Sequence, residues 1–176
     1  MKSIKHVLLA GSIVVLSAFT INSSINWTIS ENHEIKFSSA TGDPEGIFKM
    51  ITGDIQFDDN NLGSSKCNLT IDVNSINTGN GMKNKHAKSE KWFDADNYPN
   101  IEFKSAKFSK TETGFAVTGM MKMHGVEKEM TLPFTLSNNV FKSTFSVNRI
   151  DFKIGESMKK VSDEIKLEVS IPVNKK

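Results

Sequence analysis

The side chains of this 176-residue chain with the reach to do chemistry are four histidines, one cysteine and a lysine-rich run. A zinc centre needs several His, Cys or carboxylate ligands brought together, and a nucleophilic enzyme needs a nucleophile, a base and a group that orients the base. His6, His33, His86 and His124 are too scattered to form a sequence-level metal motif, although folding could gather the last three. Cys67 is the single cysteine, so no disulfide can form within the chain, and its place in phase with Leu69 in the alternating run 66–73 marks it as a small core residue and not a reactive thiol. The serine-hydrolase elbow G-x-S-x-G, the H-E-x-x-H zinc motif, the P-loop and the G-x-G-x-x-G fingerprint are absent. The acidic residues fall mainly on polar strand faces or in turns, and no catalytic carboxylate pair stands out. Residues 81–92, GMKNKHAKSEKW, form the lone helical candidate, Lys-rich and free of β-branched residues, and a loop follows at 93–99. With Lys plus Arg at 22 and Asp plus Glu at 20, the formal charge of +2 is far below the basic field that phosphate backbones demand, which argues against nucleic acid as a partner.

The elements that must position these side chains are strands. The end of the chain alternates strictly: Ile165, Leu167, Val169, Ile171 and Val173 are apolar, with Glu164, Lys166, Glu168 and Ser170 between them. The same beat runs through Ile35 and Phe37, Ile55 and Phe57, Leu69, Ile71 and Val73, Ile101 and Phe103, Phe115 and Val117, Met121 and Met123, Met130 and Leu132, and Phe145 and Val147. Strands with one wet face suit antiparallel pairing. Turn signals separate them at Gly42-Asp43-Pro44, Asp58-Asp59-Asn60-Asn61, Thr113-Gly114, His124-Gly125 and Asn138-Asn139. About eight to nine strands from Trp27 onward, with turns every ten residues or so, point to an all-β barrel or sandwich. The apolar parity slips near Met50-Ile51 and near Asn148-Arg149, and both places read as bulges that bend the sheet.

Ahead of this domain, Lys2 and Lys5 precede an apolar stretch at residues 7–19, and small and polar residues follow at 20–24. That is the form of a secretory signal, too short to span a membrane, which takes roughly 20 apolar residues. The expected organisation is a signal peptide at 1–24 and one domain at 25–176. The exported part would be close to electrically neutral, periplasmic or secreted, and without a transmembrane anchor.

A closed sheet of about eight strands is either filled by its own side chains or holds one small ligand. The chain has 12 Phe and 8 Met, with Met120, Met121, Met123 and Met130 around one hairpin. Pattern alone favours a filled core, because Met packs irregular gaps. A hollow interior would instead select a hydrophobic ligand.

A series of motifs then resembles a known family. Asn74-Ser75-Ile76-Asn77-Thr78-Gly79, His86 with Ser89, Phe93-Asp94, and Tyr98-Pro99-Asn100-Ile101-Glu102-Phe103-Lys104-Ser105 resemble the central signature of the YceI-like family of exported polyisoprenoid-binding proteins. Val117-Thr118-Gly119 leading to His124-Gly125-Val126-Glu127-Lys128, and Asn148-Arg149-Ile150-Asp151-Phe152, resemble its hairpin and its late N-R-x-D-F segment. The chain departs from the family with Lys83-Asn84-Lys85-His86-Ala87 in place of R-D-x-H-L, Trp92-Phe93 in place of F-F, Met121-Lys122-Met123 in place of L-T-I, and Lys153 in place of Gly.

The resemblance implies an all-β, lipocalin-like closed antiparallel barrel with a short inserted helix and an apolar tunnel. The ligand it implies is an isoprenoid quinone, polyprenyl phosphate or other long-chain lipid, carried or sequestered without catalysis and without a cofactor or metal. The expected tunnel lining is Phe37, Ile55, Phe57, Ile71, Val73, Phe93, Ile101, Phe103, Val117, Met121, Met123, Phe145 and Val147, with Lys83, His86 and Trp92 at the mouth. His86 has a second reading, an imidazole bonded to the adjoining loop backbone, and His124 reads as a turn residue. Two rivals stand beside the carrier: a filled-barrel stress or interaction protein, and an enzyme using His86 as a base. A homodimer is compatible with the sequence.

Overall fold

Alternation becomes architecture most plainly at the chain's end, where Ile165, Ile171 and Val173 of β11 (Glu164–Lys175) are buried and the charged residues between them are exposed. The computed structural model describes residues 25–40, 42–157 and 161–176, and the expected leader at 1–24 lies outside the described residues. The preceding elements are β1 (Asn26–Ile29), β2 (Glu34–Ser38), β3 (Glu45–Phe48), β4 (Ile51–Gln56), β5 (Lys66–Asp72), β6 (Ile76–Asn77), α1 (Gly81–Lys88), β7 (Asn100–Thr111), β8 (Gly114–Met123), β9 (Val126–Ser137) and β10 (Val140–Asn148). β1 with β2, β3 with β4 and β5 with β6 are three long strands, each bent once. Counted so, eight antiparallel strands follow one another around the sheet, and β11 closes the ring by pairing with β2 in its first half and β1 in its second. The expected closed barrel with one short helix is the fold.

The bends have local causes. At the first pair His33 lies between them: its Nε2 is 3.2 Å from the Ile51 N–H and 3.1 Å from the Lys49 carbonyl, and its Nδ1 is 2.8 Å from the Ser30 carbonyl. The parity slip at Met50-Ile51 is this break between β3 and β4. The third bend is a 3₁₀ turn at Val73–Ser75, capped by the Asp72 carboxylate, which accepts the Asn74 N–H at 2.8 Å. The slip at Asn148-Arg149 is not a bulge. β10 ends there and a 3₁₀ turn, Arg149–Phe152, begins with the Asn148 side chain accepting the Ile150 N–H at 2.9 Å. A register shift of the kind expected occurs instead at Ser105/Lys107, where β7 pairs with β8.

The wall is not uniform. β9 and β10 pair only over Val140↔Ser137, Phe141↔Leu136 and Lys142↔Thr135, whereas β8 and β9 pair along nearly their whole length. Pro133 of β9 has no N–H to donate, and its carbonyl is taken by the Ser143 hydroxyl at 2.5 Å. Beyond that point the seam has no ladder, and the turn at 149–152 props it through a Lys128–Asp151 ion pair of 2.8 Å.

α1 is four residues shorter than the 81–92 run suggests. Asn80 caps it by accepting the N–H groups of Met82 and Lys83 at 2.9 and 3.1 Å, and Ser89 ends it through its N–H and hydroxyl, both donated to the His86 carbonyl. Lys85 and Lys88 in its last turn suit the negative end of the helix dipole. Among the described residues no helix is long and apolar enough to cross a membrane.

Candidate functional site

Inward-facing side chains of the ring leave two adjoining spaces. The larger, about 750 Å³, opens beneath α1 and the loop that follows it; the smaller, about 120 Å³, lies deeper. Ile35, Ile71, Ile101, Met121, Phe145 and Val169 line both, so they form a common waist. Of the residues expected in the tunnel, Phe37, Phe93, Met123 and Val147 line the outer cavity, Ile55, Phe57, Phe103 and Val117 the inner void, and Ile71, Ile101, Met121 and Phe145 the waist. Lys83, His86 and Trp92 stand with them around the outer cavity. Val73 does not line either space. Its strand parity ends at Asp72, and the 3₁₀ turn carries it into the packed core at 1% exposure.

Below the inner void the barrel is solid. Phe57, 1% exposed, has ring contacts with Phe108, Phe115, Phe134 and Phe141 at 5.0–5.8 Å, mostly edge-on, the arrangement aromatic quadrupoles favour. Trp27 meets Phe141 edge-on and donates its indole N–H to the Phe57 carbonyl at 3.0 Å. The filled reading thus holds at this end and fails at the other.

At the rim, Lys83 on α1 reaches Asp43 on the β2–β3 loop at 3.0 Å, with both side chains more than half exposed. The Trp92 indole N–H donates to His86 Nε2 at 2.7 Å, so that nitrogen carries a lone pair committed to Trp92. His86 is therefore held by a side chain and not by the loop backbone, the second of its two readings. Trp92 also lies 5.3 Å from the Arg149 guanidinium.

Arg149 is the polar centre of the site, at 3% exposure. It donates to the carbonyls of Ser162, Ile154, Glu156 and Val161 at 2.7–3.3 Å and to Asp163 Oδ1 at 2.6 Å, so it holds the returning loop against the barrel. Gly155, at φ +67°, passes so close that a Cβ would meet Arg149 Nη1 and the Trp92 ring at 3.0 Å. Lys153, where the family has Gly, takes a left-handed φ of 58°. Arg149 and the wall residues Ile35, Ile165, Leu167 and Val169 were not among the expected site residues. The alternation of β11 carries the last three, since residues in phase on one strand share a face.

The motifs shared with the family frame the mouth. Thr78 donates its N–H and hydroxyl to Asn84 Oδ1, fixing the entry to α1. Tyr98 stacks edge-on against His124 at 5.0 Å, and Gly125 leaves room for the tyrosine ring. His124, at φ 50°, is the turn residue expected. Cys67 faces the inner void, and burial pushes its thiol up to about 11, offset in part by a hydrogen bond with Ser105. His33, His86, His124 and Cys67 are thus each engaged apart, and among the described residues no three His, Cys, Asp or Glu side chains gather.

A model of the YceI-like domain matches residues 20–173. A UPF0312 protein of Yersinia enterocolitica is 26% identical over 136 residues, 72% of this chain and 71% of that protein. The crystal structure of Burkholderia cenocepacia BcnA, 27% identical, superposes with a TM-score of 0.73 over 81% of this chain and 96% of its own. The Campylobacter jejuni YceI protein, 26% identical, does so at 0.63 over 74% and 84%. A polyisoprenoid-binding domain from Saccharophagus degradans shares the fold at 14% identity, with a TM-score of 0.63 over 85% and 98%. With the matched stretch running from before β1 to near the end of β11, the chain belongs to the YceI-like family.

Proposed function

We propose that this protein binds one long apolar chain, an isoprenoid quinone or polyprenyl phosphate or a lipid of that type, and carries or sequesters it without chemical change. The observation that carries this reading is the 750 Å³ outer cavity, walled almost wholly by apolar side chains and continued inward by the smaller void. That volume falls within the roughly 300–1,000 Å³ range of small-molecule sites. Each methylene moved from water into such a bore contributes about 0.8 kcal/mol, so affinity comes from the chain while a polar head at the rim, near Lys83, His86 and Trp92, adds orientation. The named ligand class of the Saccharophagus degradans domain supports the same choice.

Catalysis by His86 is the weaker reading, because a base needs a free lone pair and His86 Nε2 accepts from Trp92. Cys67, with its raised pKa and burial, is a poor nucleophile. In this reading residues 1–24 are a leader, and the domain at 25–176 works in the periplasm or outside the cell. Native mass spectrometry of protein purified without detergent tests it: an adduct of lipid mass is expected, with uptake of added prenyl lipid after delipidation. Bare polypeptide mass and no uptake would overturn it.

A further inference from the structure

The solid base of the barrel sits directly behind the inner void, which gives the bore a definite floor. We propose that the aromatic cluster around Phe57 is a stop that sets the length of chain the barrel accepts, and that the inner void seats the last isoprene unit; this rests on the lipid-binding reading above. At about 30 Å³ per non-hydrogen atom, the share of one water molecule in the liquid, a five-carbon unit needs roughly 150 Å³. On that scale the outer cavity of 750 Å³ takes about five units and the inner void of 120 Å³ about one more.

The floor is stiff where the waist is soft. Phe57 is held on several sides by rings, and its backbone carbonyl is held by Trp27. At the waist Met121 has the freedom to repack around a passing chain. A chain that reaches the floor has buried all it can. Every further unit must stand outside the mouth and gains nothing from the bore, whereas a shorter chain leaves the inner void empty.

The test is a competition among prenyl alcohols from farnesol to decaprenol, read by native mass spectrometry on the wild type and two variants. Phe108→Ala removes one half-buried ring from the floor and leaves Phe57 and its other partners. Cys67→Leu fills the inner void from β5. In the wild type, affinity is expected to climb about tenfold or more from geranylgeraniol to hexaprenol and then to level off. The plateau should move to longer chains in Phe108→Ala and to shorter ones in Cys67→Leu, so the second variant still decides if the first fails to fold. Uptake with a length profile that is flat, or that is the same in wild type and variants, overturns the stop and leaves lipid binding standing. Uptake of no prenyl alcohol overturns the lipid reading and the stop with it.

Discussion

At the base of the barrel, rings from β1, β7, β8, β9, β10 and the residue after β4 converge on a common point, whereas at the mouth the rings of Phe37, Phe48 and Phe93 run in file along one wall. Both ends are built from alternating strands of similar composition, and both bury their apolar faces. Convergence packs the ring with aromatic side chains, while a file against one wall leaves the rest of the circumference to aliphatics, Met121, Met123 and Phe145, with the outer cavity between them. The mouth is then held open from outside the ring, by α1 above and by the loop that Arg149 gathers. Direction of burial is thus a property of each strand, but emptiness is a property of the layer.

The sharpest way to break this comparison is to delete apolar volume at each end. Phe57→Ala removes a ring packed against four others and should cost about 4 kcal/mol of unfolding free energy, as large-to-small changes in tight cores do. Leu167→Ala, on a wall that already faces the cavity, should cost only about 1 kcal/mol, because few partner atoms are lost. Equal costs in urea unfolding would show that the two ends are packed alike. Next in size is Arg149→Met, which strands the carbonyls of the returning loop and leaves Asp163 with the Ser157 hydroxyl but without its cation; about 3 kcal/mol is expected. The chain's two tryptophans report the ends separately, Trp27 at the base and Trp92 at the rim. Emission from Trp92 should shift to the red in Arg149→Met while that of Trp27 holds; a shift in both would mean that the loop braces the whole barrel.

Much of the fold was legible because strand parity is written residue by residue: β11, β8 and the turns at His124-Gly125 and Asn138-Asn139 follow from it directly. Val73 shows its limit, since alternation continues through it while Asp72 has already turned the chain. The seam beside β9 had a signal in Pro133, a residue that central strands exclude. Arg149 was visible as part of a motif, but its partners are backbone carbonyls, which carry no sequence signature at all. The hollow outer half was the least legible feature, because Phe and Met serve equally to fill a core or to wall a cavity.

Between the two ends stands Cys67, and it tells which of them the inner void resembles. Its thiol, ordinarily near 9.0, is pushed up to about 11 chiefly by burial. The folded protein therefore holds this proton through a range where the unfolded chain has lost it. Stability from this group is complete below pH 9.0 and falls as pH rises toward about 11, by up to about 2 kcal/mol. Lysines titrate in the same range, so the comparison must be between wild type and Cys67→Ala, with the extra downward slope found only in the former. An apolar void of this size stays dry when nothing occupies it, which is the condition for so large a desolvation. Parallel curves would mean that water reaches Cys67 in the empty barrel, and the inner void would then belong with the open mouth and not with the solid base.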